Sequence, residues 1–225
     1  MMNRPSFPIF LRLEGKACLV VGGGAIAWPK AQKLLESGAE VTLVAPRIER
    51  YALPPALAAQ LGVREREFTP ADLEGQTLVI AATDDRMVQE QVRREATARG
   101  IWCNVVDVPE RCDFTFGAQL SRGALQVVIG TDGGFPLLAQ RLRDRLETQF
   151  SPDMAEGVDL LAKARGTYQA TSALSYREKR AVLAELLDEA TVTALEQGDL
   201  EAIRARVAAW GNERKEERCS SSSSR

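Results

Sequence analysis

The sequence predicts an α/β fold: a doubly wound parallel sheet with helices on both faces, then a small α+β segment and a helical C-terminal region. Three observations carry this. Short apolar runs of strand length alternate with helical patterns through the first half of the chain. One of these strand–helix–strand units, residues 17–45, contains a three-glycine turn. After residue 151 no strand pattern remains.

The organising unit opens on the apolar run Ala17–Val21, which reads as a buried strand. Gly22, Gly23 and Gly24 follow. A helix is expected next, with apolar positions at Ala27, Ala31, Leu34 and Leu35 and a stop at Gly38. Val41–Ala45 closes the unit as a second strand. Gly22-Gly23-Gly24-Ala25-Ile26-Ala27 fits G-x-G-x-x-A, in the Rossmann-like context where that motif has a mechanical meaning. Gly22 permits the tight turn, Gly24 lets a pyrophosphate approach the backbone, and Ala27 lets the helix pack on the sheet. The helix start supplies free N–H groups and the positive end of the dipole. A glycine-rich turn without a ligand is the alternative. Two details depart from a standard nicotinamide site. No acid ends the second strand, where the chain reads Val44-Ala45-Pro46-Arg47; Arg47 suits a 2′-phosphate, and backbone groups could instead hold the ribose. Pro29 lies inside the helix, and a helix starting at Gly24 is expected to kink there.

Pro8–Leu11 reads as an edge strand or an apolar plug. Ala56–Leu61 is expected to form a short helix and Val63–Phe68 an outer strand. Leu78–Ala82 is a buried strand. Thr83, Asp84 and Asp85 then offer N-cap groups for a helix through about Ala98, stopped by Gly100. The Thr83 loop lies at a carboxyl end of the sheet, in reach of a cofactor. Ile101–Val106 is the last strand of this domain. Phe114–Gln119 and Leu125–Ile129 are expected to pair around a turn at Ser121-Arg122-Gly123. Gly133 and Gly134 shape a second glycine loop before a helix led by Pro136. Ser151-Pro152, a capping box at Ser175–Glu178 and a break at Gly198-Asp199 mark the later helices. Residues 212–225, polar and serine-rich, are expected to be disordered.

Composition narrows the chemistry. There is no histidine, which removes His triads, His metal ligands and His acid–base catalysis. Any proton transfer falls to a carboxylate, Lys, Tyr, Cys or water. A net charge of −2 gives no global attraction to nucleic acid. No apolar run is long enough to span a membrane, the start lacks a signal-peptide core, and four scattered cysteines fit reduced thiols in a cytoplasm. No cluster of metal ligands stands out.

Several stretches, in this order, resemble the dehydrogenase/chelatase module of siroheme synthase, the family of precorrin-2 dehydrogenases and sirohydrochlorin ferrochelatases. They are Pro8-Ile9-Phe10, VVGGGAIA with Lys30, IAATDD, Cys103-Asn104-Val105-Val106-Asp107-Val108-Pro109 with Phe114, and Thr131-Asp132-Gly133 with Pro136. The resemblance implies an NAD-binding domain over 1–113, a segment over 114–150 that joins two subunits into a homodimer, a helical domain over 151–211 and a tail over 212–225. It implies NAD as hydride acceptor for the oxidation of precorrin-2 to sirohydrochlorin, NADP not being excluded. In some members it also implies Fe²⁺ insertion, with iron as substrate. The implied catalytic carboxylate is Asp107. Cofactor contacts fall at Gly22, Gly24, Ala25, Ile26, Pro46, Arg47, Thr83 and Asn104. Thr131, Arg111, Arg122 and Arg141 are the expected substrate contacts, the arginines because the tetrapyrrole is polyacidic. The chain departs from the family pattern at Pro29, Gly117, Gly130 and Phe135. A different class of function, a non-catalytic NAD-binding sensor, needs the glycine loop but gives Asp107 no task.

Overall fold

A computed structural model describes residues 6–49, 53–171 and 175–222. The chain divides into two compact units between Phe116 and Gly117.

The first unit is a five-stranded parallel sheet: β1 (Ala17–Val21), β2 (Glu40–Ala45), β3 (Leu61–Glu65), β4 (Leu78–Ala81) and β5 (Trp102–Val105), in the order β3-β2-β1-β4-β5. The chain leaves β1 toward one edge and returns to the other side of β1 with β4. The switch point therefore lies between β1 and β4, where open α/β sheets bind ligands beyond their carboxyl ends. The central strands β1 and β4 are apolar throughout because both faces are covered, while the edge strand β3 is largely exposed and carries Arg64 and Glu65. Cys18 and Val20 enter the core beneath α1 (Ala27–Glu36), while Leu19 and Val21 enter the core beneath α3 (Arg86–Arg99). The short helix α2 is Pro55–Ala58, and β3 begins at Leu61, two residues earlier than its sequence pattern indicates.

The first helix starts at Ala27 rather than Gly24. Pro29 thus falls in the first turn, where no backbone hydrogen bond is lost, and the expected kink has no cause. At the other boundary, Asp85 caps α3 by accepting from Met87 N–H (2.8 Å) and Val88 N–H (3.2 Å), and Gly100 ends it at φ +67°. Residues 8–11 form no strand; Phe7, Ile9 and Phe10 are exposed.

The second unit opens with an antiparallel hairpin, β6 (Ala118–Arg122) and β7 (Leu125–Ile129). The turn is Gly123-Ala124, with Gly123 at φ +58°, so Ser121 and Arg122 are strand residues rather than turn residues. Helix α4 is Pro136–Gln149, with Pro136 in its first turn. Helices α5 (Met154–Thr171), α6 (Tyr176–Leu186), α7 (Glu189–Gln197) and α8 (Leu200–Ser222) follow. A β-carbon on Gly157 would lie 2.7 Å from Leu195 and from Ile203, so α5 packs on α7 and α8 only because that position is glycine. The last helix continues to Ser222, through a stretch expected to be disordered; Glu, Arg and Lys there are good helix formers and extend the helix begun at Leu200. Residues 223–225 of that stretch lie outside the described residues. No helix among the described residues is long and apolar enough to cross a membrane.

Candidate active site

Sheet register places the first unit's candidates on one edge. Val21 pairs with Ala81, and Ala81 with Val105. Gly22, Ala82 and Val106 therefore stand in one row beyond the strand ends. At about 4.8 Å per strand, the outer two are roughly 10 Å apart. Asp107 follows Val106 along the chain, one residue past that row.

The glycine turn is built from two kinds of crowding. A β-carbon on Gly22, at φ +134°, would lie 2.1 Å from the Ala82 carbonyl oxygen. A β-carbon on Gly23 would lie 2.4 Å from the Arg47 carbonyl oxygen. Gly24 is different: the nearest atom to its β-carbon position is a Glu49 carboxylate oxygen at 3.8 Å. The protein needs Gly22 and Gly23 for its own packing and leaves open space over Gly24. Helix α1 begins without a side-chain cap. Ala25 and Ile26 are exposed there, Ile26 at 53%. An open glycine beside an uncapped helix start fits a pyrophosphate.

Thr83 flanks this turn: its N–H lies 3.2 Å from the Gly22 β-carbon position. Its hydroxyl accepts from Asp85 N–H (3.2 Å) and its carbonyl accepts from Gln89 Nε2 (2.6 Å). On the other side Pro46 and Arg47 are exposed just past β2.

Asp107 occupies an exposed turn at the carboxyl end of β5 and has φ +63°, a left-handed conformation that Asp tolerates better than most residues. The loop behind it is tightly wired. Cys103 N–H donates to the Asp113 carboxylate (2.9 Å), and Asp113 N–H donates back to the Cys103 carbonyl (2.8 Å). The Cys112 thiol donates to the Val105 carbonyl (3.2 Å). Asn104, 7% exposed, donates to the Phe114 carbonyl (2.9 Å) and to Cys112 Sγ (3.4 Å). Its amide is thereby turned into the loop, so the residue expected at the cofactor acts instead on the shape of the Asp107 turn. Burial pushes the Cys103 thiol up to about 11 and raises Cys112 as well, which removes both as proton acceptors at neutral pH.

Lys30 was not among the expected site residues. Its ammonium lies 4.1 Å from the Phe116 ring centroid, within electrostatic reach of Asp107. Burial pushes it below the usual lysine value, Lys33 adds to this, and Asp107 opposes both. The signal for it was its place one turn into α1, beside the glycine loop.

The expected substrate residues divide. Arg111 forms an ion pair with Glu90 on α3. Thr131, Arg122 and Arg141 belong to the second unit. Thr131 accepts from Phe135 N–H through its hydroxyl (3.2 Å) and from Gly134 N–H through its carbonyl (2.8 Å), so the second glycine loop is a closed turn before α4. Arg122 donates to the Phe150 (3.0 Å) and Glu147 (3.2 Å) carbonyls, capping the end of α4 with its guanidinium. Arg141 is exposed on α4. Among the described residues, no group of three or more His, Cys, Asp or Glu is arranged to hold a metal ion.

Residues 9–118 match a family model described as "Putative NAD(P)-binding". The siroheme synthase of Methylococcus capsulatus is 44% identical over 141 residues, which is 63% of this chain and 30% of that protein. Siroheme synthase 2 of Aeromonas salmonicida is 40% identical over 174 residues, 76% of this chain and 36% of that protein. The chain thus spans about a third of the length of the curated relatives it matches. Among solved structures, SirC, a precorrin-2 dehydrogenase, superposes with a TM-score of 0.70 at 25% identity, covering 92% of this chain and all of that one.

Proposed function

We propose that this chain acts as the dehydrogenase module of the siroheme synthases it resembles, oxidising precorrin-2 to sirohydrochlorin with NAD⁺ as hydride acceptor. The observation that carries the proposal is the shared carboxyl end of the sheet: an open glycine cradle follows β1, and an exposed carboxylate, Asp107, sits in the turn that follows β5.

Oxidation of the macrocycle removes a hydride and a proton. Bound nicotinamide supplies the hydride acceptor. The chain's own residues must place the cofactor and take the proton. Gly22 through Ile26 hold the phosphates on open backbone N–H groups, with Thr83 on one flank and Pro46 and Arg47 on the other. Asp107 accepts the proton from the macrocycle as the hydride leaves. The family resemblance points to this residue, and neither histidine, which the chain lacks, nor the buried, raised thiols compete for the role. Lys30 supplies a nearby positive charge to the same carboxylate. Arg111 is proposed to meet a substrate carboxylate near the Asp107 turn; Thr131 and exposed Arg141 are proposed contacts of the second unit taken by itself, and Arg122 is left out because its donors already serve the end of α4.

A homodimer is part of the proposal. Phe135, Leu138 and Leu142 are exposed on one face of α4 and its lead-in, with Val128 exposed on β7.

The test is spectroscopic. Precorrin-2 mixed with NAD⁺ and the protein should yield NADH and a changed tetrapyrrole absorption. A sensor would bind NAD⁺ and leave the tetrapyrrole spectrum alone.

A further inference from the structure

A nicotinamide site usually carries an acid at the end of its second strand, where the carboxylate accepts hydrogen bonds from the adenosine ribose. Here β2 ends at buried Ala45, and Pro46 turns the chain away. The next three residues fold back along the glycine turn. The Arg47 carbonyl oxygen and Ile48 Cα press on Gly23, at 2.4 and 3.0 Å from its β-carbon position. Glu49 N–H donates to the Gly23 carbonyl (2.9 Å), and Trp28 Nε1 donates to the Glu49 carbonyl (3.0 Å). The backbone of Glu49 is thus tied to the glycine loop through its N–H and to α1 through its carbonyl. One oxygen of its carboxylate lies 3.8 Å from the Gly24 β-carbon position.

We infer that Glu49 supplies the missing acid: its carboxylate receives the adenosine ribose hydroxyls and selects NAD over NADP. This rests on the proposal that a nicotinamide dinucleotide binds the glycine turn. A carboxylate held next to Gly24 has two possible neighbours. A ribose with free 2′- and 3′-hydroxyls offers two donors to one acceptor group, a charge-assisted pairing. A 2′-phosphorylated ribose offers no 2′-hydroxyl and brings negative charge against negative charge. Both effects favour NAD. Arg47, exposed two residues earlier, acts in the opposite direction, so the balance is set between these two side chains.

The experiment is direct calorimetric titration of NAD⁺ and of NADP⁺ into the full chain, with Glu49→Gln and Glu49→Lys beside the parent. Glu49 is exposed, so neither change disturbs the core. The parent should bind NAD⁺ at least about tenfold tighter than NADP⁺. Glu49→Gln should weaken NAD⁺ by about tenfold while leaving NADP⁺ equal or tighter, and Glu49→Lys should reverse the preference. An unchanged ratio of the two affinities in Glu49→Gln, or a parent that prefers NADP⁺, overturns the assignment while leaving the cofactor site standing. A parent that binds neither nucleotide overturns the cofactor site and this assignment together.

Discussion

Asp113 and Cys103 grip each other twice: the backbone N–H of Cys103 meets the Asp113 carboxylate at 2.9 Å, and the backbone N–H of Asp113 meets the Cys103 carbonyl at 2.8 Å. Arg93 from α3 closes the same carboxylate at 2.6 Å. Between these two residues runs the whole Asp107 turn. A carboxylate six positions downstream therefore holds the base of the turn that carries the proposed catalytic one. Asp113→Ala should lower kcat by roughly tenfold, on the scale of a lost positioning contact, with NAD⁺ affinity unchanged. Asp113→Asn keeps an acceptor for the Cys103 N–H and should retain most of the rate. Steady-state kinetics beside nucleotide titration separates these outcomes.

The glycines separate packing from binding. Gly22→Ala puts a methyl 2.1 Å from the Ala82 carbonyl oxygen at an unfavourable φ and should destabilise the first unit by roughly 2–3 kcal/mol. Gly24→Ala meets nothing closer than 3.8 Å and should fold normally. It should nonetheless lose nucleotide affinity, because the methyl fills the space the pyrophosphate needs. Thermal melts and calorimetry on the two variants check this. A Gly24→Ala protein that binds NAD⁺ like the parent contradicts the cradle.

Much of this was legible in the chain. The parallel strands announced themselves as apolar runs because a sheet covered on both faces needs no polar alternation. The glycine motif was legible because Gly22 has no room for a β-carbon and Gly24 leaves the turn open, whereas the crowding at Gly23, an unspecified position of the motif, was not. Asn104 misled because sequence cannot tell which way a buried amide turns. The hairpin turn was placed too early, since Ser121 is a common turn residue, but Ser121 and Arg122 here face Gln126 and Leu125 across the ladder and the chain turns at Gly123-Ala124. Lys30 and Glu49 were missed for different reasons: Lys30 stood in plain view beside the glycine loop, but its reach to Asp107 is a tertiary matter, and Glu49 comes near Gly24 only because the chain folds back after Pro46.

Stability should fall at both ends of the pH scale. The Arg66 and Arg64 guanidiniums hold Asp72 well below the usual carboxylate range, and Arg93 lowers Asp113. A depressed folded pKa means stability that is present above the ordinary value of 3.8 and lost as pH drops below it. Cys18 and Cys103 are raised from 9.0 to about 11 by burial, so their contribution is intact below pH 9 and lost as pH rises toward 11. Melting temperatures followed across pH should decline in both windows. Asp72→Asn should flatten the acid side, and Cys103→Ala should flatten part of the alkaline side.

The exposed face of α4 leads to an assembly prediction. Leu138→Glu with Leu142→Glu places two charges on the proposed dimer surface without touching a buried residue. Sedimentation should show a dimer for the parent and a monomer for the double variant, with an unchanged helical signal. A parent that sediments as a monomer contradicts the assembly.

The most direct measurement is NADH formation from precorrin-2 by the parent and by Asp107→Asn. Asparagine tolerates the left-handed φ of +63° and keeps the shape of the turn, so the change removes the proton acceptor alone. The rate should fall by about a hundredfold or more, while NAD⁺ binds as in the parent. Oxidation at the parental rate in Asp107→Asn would contradict the role given to this carboxylate.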